Sequence, residues 1–200
     1  MRVLRADGLK VEVIDCGGGL GIPYRGEAAP LPAALAGAIR GALHNLDVRI
    51  VLEPGRWLVG PAGVLLASVI LAKQTQGSRF IVLDAAMNDL IRPAMYEAWH
   101  GIVPVSAVDA VRPTAPADVV GPVCESGDTF ARDRMLPPLI GGARVAILDA
   151  GAYGSVMSSA YNARPVAAEV MVDGGNWSVI RERESHADLW RGERVPHWLE

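Results

Sequence analysis

Lysine is almost missing from this chain: Lys10 and Lys73 are the only two, against seventeen arginines in 200 residues. Chemistry that needs a lysine amine as nucleophile therefore has very few positions to draw on. Cysteine is equally sparse. Cys16 and Cys124 are too few for a disulfide framework, so a reduced, cytoplasmic setting is the expectation. There is no surplus of positive charge either. The formal net charge is −3, which makes nucleic acid and anionic membranes poor candidate partners. No apolar run approaches the roughly 20 residues of a membrane helix, and Met1–Asp7 lacks the apolar stretch of a secretory signal. What is plentiful is apolar: half the residues are hydrophobic and a fifth are charged. That balance suits a well-buried globular protein of one large domain or two small ones.

Taken in order, Lys10–Cys16 reads as a strand, followed at once by Gly17-Gly18-Gly19-Leu20-Gly21. Glycines in that place let backbone amides approach an anion, because no Cβ intervenes. A phosphate cradle and a simple tight turn both fit, and the spacing is not the dinucleotide fingerprint. Pro30–Asn45 then carries Leu31, Leu35, Ile39 and Leu43 at helical spacing, with prolines near its start. Val48–Leu52 is a second apolar strand ending in Glu53-Pro54-Gly55-Arg56. The pattern is β/α with both loops after strands, where parallel folds bind ligands. Glu53 and Arg56 there suit either a bound cofactor or a surface ion pair.

Beyond Arg56 the pattern changes. Val64–Leu71, Arg79–Asp84, Asp118–Val120, Arg144–Asp149 and Ala167–Asp173 read as strands without long helices between them. The expected fold is therefore α/β plus all-β. Residues 1–56 would be the last β/α elements of a TIM-type (β/α)8 barrel, and residues 57–200 a mainly antiparallel β-sandwich or barrel domain. Two parallel strands and one helix cannot close a barrel, so the remaining barrel elements are expected elsewhere, upstream or on another chain. The charged, Trp-bearing tail from Arg181 reads as a short helix or a docking arm.

Two further stretches carry chemistry. In Asp84-Ala-Ala-Met-Asn-Asp-Leu-Ile-Arg-Pro-Ala-Met-Tyr96, Arg92 and Tyr96 are four apart, so on a helix they share a face and could hold a carboxylate. In Gly121-Pro-Val-Cys-Glu-Ser-Gly-Asp128, Cys124 sits beside an acid with glycine or proline on either flank. A thiol with an ordinary pKa of about 8.5 can move a proton near neutrality, although a buried, inert cysteine is the plainer alternative.

Together these segments resemble the C-terminal half of the diaminopimelate decarboxylases, pyridoxal-phosphate enzymes of the alanine-racemase-like fold. The resemblance rests on Gly-Gly-Gly-Leu-Gly, Glu-Pro-Gly-Arg, Asn-Asp-Leu-Ile-Arg-Pro-x-x-Tyr and Gly-Pro-x-Cys-Glu-Ser-Gly-Asp. Gly151-Ala-Tyr-Gly154 and Met157-Ser-Ser-x-Tyr161-Asn-x-Arg164-Pro165 complete it, in the family's order over nearly the whole chain. It implies that pyridoxal 5′-phosphate is held by Gly17, Gly18, Gly19, Glu53, Gly55, Arg56 and Tyr153. Glu53 would keep the pyridine nitrogen protonated. Arg56, Arg92, Tyr96, Glu125 and Tyr153 would bind an amino-acid substrate. Cys124 would be the catalytic acid, reaching with Glu125 into the neighbouring subunit of a homodimer.

Glu125 and Arg92 provide the anion and cation that a distal amino-acid head requires, which favours diaminopimelate over ornithine or arginine. A non-catalytic dimerising paralogue is the second expectation. Two departures matter. Asp84-Ala85-Ala86 has alanine where the family commonly has glycine. The family's Schiff-base lysine and ring-stacking histidine precede anything here: Lys10 and Lys73 do not match, and His44, His100, His186 and His197 read as surface or packing residues. The chain alone is therefore expected to be inactive.

Overall fold

The computed structural model describes residues 1–199. A short helix α1 (Arg2–Ala6) precedes strand β1 (Val13–Asp15), and helix α2 (Pro32–Leu43) crosses back to β2 (Arg49–Val51). β1 and β2 pair in parallel, Ile14 opposite Ile50. Both strands are shorter than the apolar stretches that announced them, because neither has a second neighbour and the ladder ends where its partner ends. Pro32 lies in the first turn of α2, where a missing amide costs nothing. Leu35, Ile39 and Leu43 form a half-buried stripe, while Leu31 is exposed. No residue of α2 is fully buried.

The Glu53–Arg56 segment is not only a loop. Pro54 caps helix α3 (Gly55–Val59), so Gly55 and Arg56 open a helix. A 3-10 turn (Gly60–Ala62) then leads into β3 (Leu65–Gln74) and β4 (Arg79–Leu83). Helix α4 (Arg92–Tyr96), β5 (Ile102–Pro104), α5 (Ala107–Ala110), β6 (Ala115–Val120), β7 (Thr129–Leu136) and β8 (Arg144–Ile147) follow. The strands form one sheet in the order β5-β8-β3-β4-β6-β7. Every neighbouring pair is antiparallel except β4 with β6, so the mainly antiparallel expectation holds.

Two strands of this sheet, and the hairpin strand Asn176–Arg181, escaped the sequence reading. β5 is a three-residue edge strand ending in proline, which only an edge tolerates. In β7 the charged run Arg132-Asp133-Arg134 breaks the apolar alternation. There the register shifts, Asp133 takes φ +47°, and its amide donates to Asp118 Oδ1 at 2.9 Å.

The core of this sheet is drawn from its own strands. Val69, Ile81, Leu83, Val119, Val145 and Ile147 are each at most 2% exposed. Burying side chains of this size stabilises by about 1.5–3 kcal/mol each. None of them lies before residue 67, so the buried cluster of the sheet is closed without β1, α2 or β2.

A separate antiparallel hairpin, β9 (Glu169–Asp173) and β10 (Asn176–Arg181), turns through Gly174 and Gly175. Its Met171, Val172 and Trp177 are exposed. The tail forms the short helix α6 (His186–Leu189), started by a Ser185–Asp188 capping box. Among the described residues, no helix is long and apolar enough to cross a membrane.

Candidate cofactor and substrate site

The two loops after β1 and β2 are joined backbone to backbone. Glu53 N donates to Gly17 O at 2.7 Å, and a Cβ on Gly18 would lie 2.5 Å from Glu53 O. Gly17 and Gly19 take φ +66° and +84°, which disfavours other residues. The glycines thus form a side-chain-free cradle beside Glu53 that fits a phosphate. Gly17 departs from the expected trio of donors, since its own amide donates to Asp15 Oδ1 at 2.8 Å. Gly18 and Gly19 remain to face an anion.

A cavity of about 610 Å³ gathers four of the expected residues: Arg56, Arg92, Tyr96 and Tyr153. Arg56 projects from α3 with its guanidinium 5.5 Å from the Tyr153 ring centre. Tyr153 adopts φ +59°, an uncommon conformation for a bulky residue, in the tight Asp149–Gly154 loop. That loop is seated by Ala150 N on Gly63 O (2.8 Å) and Gly151 N on Gly60 O (3.0 Å). A side chain on Gly151 would run into Val59 O, which accounts for glycine there. Arg92 and Tyr96 bracket the single turn of α4. Glu97 ends it with φ +52°, and Ala98 N donates back to Arg92 O. The reversal brings Trp99 and His100 back beside Arg92.

His100 and Tyr24 are members of the site that sequence reasoning missed. His100 is 1% exposed, the packing rather than the surface alternative expected of it. Its Nε2 lies 2.7 Å from Arg92 Nη1 and its Nδ1 2.8 Å from Leu148 O. Tyr24 packs its ring 4.9 Å from the Arg92 guanidinium and edge-on to His100, with its hydroxyl buried and unpartnered. The loop that presents Tyr24 is tied by Glu27, whose carboxylate accepts from Tyr24 N and Arg25 N. Its own amide and that of Arg25 hold the Glu27 carboxyl below the usual range.

Burial pushes the His100 imidazole below its ordinary value, and Arg92's charge adds to this. As pH falls through about 6.5, the unfolded chain takes the proton before the folded one. His100 therefore contributes stability that is present above that value and lost below it. Urea midpoints are expected to fall between pH 7.5 and 5.5, and a His100→Gln variant is expected to flatten that fall.

Cys124 and Glu125 do not line the cavity of their own chain; both are exposed. Their turn is fixed by Asp128, which is buried and accepts from Met87 N (2.7 Å) and Val123 N (2.8 Å). Burial pushes the Asp128 carboxyl up, against the pull of those two amides. A side chain on Gly121 would strike the Asp128 carboxylate. Gly121→Ala is expected to cost about 3 kcal/mol in urea unfolding, combining overpacking with a displaced buried acceptor.

The Asn-Asp and Ser-Ser-x-Tyr-Asn-x-Arg motifs explain each other. Asn88, 2% exposed, donates to Ser159 O and accepts from Arg164 Nε at 2.9 Å, while Arg164 also donates to Asp84 O and faces Asp89. This lock sets Tyr161, whose hydroxyl lies 3.5 Å from Glu125 Oε2.

A glycine cradle with a carboxylate beside it, and a sheet unit with an arginine-lined cavity, are the features of a ligand-binding domain. Residues 13–151 match the family described as pyridoxal-dependent decarboxylase, C-terminal sheet domain. The chain is 48% identical over 198 residues to the diaminopimelate decarboxylase of Archaeoglobus fulgidus, covering 96% of this chain and 47% of that protein. The diaminopimelate decarboxylase of Helicobacter pylori in complex with L-lysine superimposes with a TM-score of 0.88 at 42% identity, covering 95% and 46%. That of M. jannaschii, also with L-lysine, gives 0.91 at 39% identity, covering 99% and 46%. The chain spans about half the length of the relatives it matches. It belongs to the pyridoxal-dependent decarboxylases and carries their C-terminal sheet domain.

Proposed function

We propose that the chain is the C-terminal part of a cytoplasmic diaminopimelate decarboxylase, forming L-lysine and carbon dioxide from meso-2,6-diaminopimelate. The observation that carries this reading is the cavity holding Arg56, Arg92, Tyr96 and Tyr153, with Arg92 buried and, among the described residues, paired with no carboxylate. Pyridoxal phosphate, when bound, accepts the electron pair left as the Cα–carboxylate bond breaks. Gly18 and Gly19 would hold its phosphate, with Gly17, Gly55 and Arg56 shaping the cradle. Glu53 would neutralise its ring nitrogen, and Tyr153 would cover it. Arg92, Arg56 and Tyr96 take the distal carboxylate of the substrate, and Glu125 its distal ammonium. The Cys124 thiol gives a proton to Cα where the carboxylate left. Cys124 and Glu125 act in the partner subunit of a homodimer, which agrees with their exposure away from this chain's own cavity. The Schiff-base lysine comes from a barrel half outside this chain.

The test joins this chain to a lysine-bearing barrel half and follows carbon dioxide release from diaminopimelate, ornithine and arginine. Lysine formation from diaminopimelate alone supports the reading. Preference for ornithine or arginine, or no turnover of any, overturns it.

A further inference from the structure

Arg92 poses an electrostatic problem. It is 6% exposed, yet among the described residues no carboxylate forms an ion pair with it. A buried cation without a counter-charge is costly, so something neutral must hold it while its charge stays available. That partner is His100.

A guanidinium has only donors. With Arg92 Nη1 2.7 Å from His100 Nε2, the imidazole nitrogen must offer its lone pair. The ring proton is then on Nδ1, where it donates to Leu148 O at 2.8 Å. The two contacts together fix one neutral tautomer. A proton on Nε2 would set donor against donor and push Arg92 from its place. The other charged or titratable groups around the ring are few. Tyr24 lies edge-on, Asp149 follows β8, and Arg134 of β7 donates to the His100 backbone carbonyl at 2.6 Å.

We propose that His100 is a positioning residue for Arg92: as its neutral Nδ1–H tautomer it accepts one guanidinium N–H and leaves the others for a ligand carboxylate in the cavity. Carboxylate capture by this cavity therefore requires an unprotonated histidine. The inference rests on the reading of Arg92 as the carboxylate's partner.

The test uses the 200-residue chain, whose sheet unit closes its own core. Imidazole nitrogen NMR is expected to show His100 with Nδ1 protonated and Nε2 bare at pH 7, and an Arg92→Met change is expected to shift the Nε2 resonance. Binding of meso-diaminopimelate, followed by calorimetry, is expected to weaken at least about tenfold in His100→Leu, in line with the loss of a hydrogen bond to a charged group. His100→Gln, whose Oε1 can replace the acceptor, should retain it within about threefold. Circular dichroism checks that both variants fold. An Nε2–H or cationic His100 at pH 7, or wild-type affinity in a folded His100→Leu, overturns the proposal. If wild type fails to bind diaminopimelate, the substrate reading falls. The nitrogen spectra, with and without Arg92→Met, then decide the positioning role by themselves.

Discussion

Arg92→Met is expected to lower kcat/KM for diaminopimelate by about a hundredfold or more in the enzyme assembled with its lysine-bearing half. Arg92 is the buried cation of the cavity, and among the described residues no carboxylate pairs with it, which leaves that place to a ligand carboxylate. Thermal stability should move the other way. Replacing a buried cation that no carboxylate balances by an apolar side chain of similar length removes a desolvation cost that offsets or exceeds the His100 hydrogen bond lost with it. Loss of turnover together with an unchanged or raised Tm would mark Arg92 as a ligand-binding residue. A fall in both would mark it as part of the packing, with His100 and Tyr24 as its reason for being there.

Cys124→Ala should reduce kcat by about 10² to 10⁴, the usual worth of a positioned general acid. Cys124 is exposed on its turn, so stability should stay within about 0.5 kcal/mol. Mixing the two inactive variants sharpens the result. If Cys124 serves the partner's cavity, an equal mixture of Cys124→Ala and Arg92→Met chains forms mixed dimers with one intact site. Activity should then return to about a quarter of wild type for random pairing. If both residues serve the same subunit's site, no activity returns. The readout is carbon dioxide release after the chains have exchanged.

Where the sequence was informative, it was because the signal was local. β1, the glycine cradle, α2 and β2 could be read from period and turn chemistry within short windows. The same holds for most of the long strands of the sheet. Tyr96 and Arg92 were also locally legible, since four residues on a helix bring two side chains together. His100 was not. Next to Trp99 it looks like any isolated histidine, and its role exists only because Leu148 and Arg92 meet it from different parts of the fold. Tyr24 escaped for the same reason. Asn88 and Arg164 were quoted as motif residues, but nothing local reveals that each is the other's partner. Asp128 likewise closed a recognisable motif, while its task of holding Met87 and Val123 needed the tertiary contact. β7 was hidden because a bulge interrupts its alternation.

The register of the large sheet also sets the order in which the molecule can assemble. The β3–β8 ladder joins Leu65 to Ile147, so β3 must wait for β8 before the core closes. Ladders this distant in sequence form slowly, on the scale of milliseconds to seconds, because chain entropy is lost before the contacts repay it. Until β8 arrives, the apolar faces of β3, β4 and β6 stand in water, and a chain caught in that interval is open to aggregation and to chaperone capture.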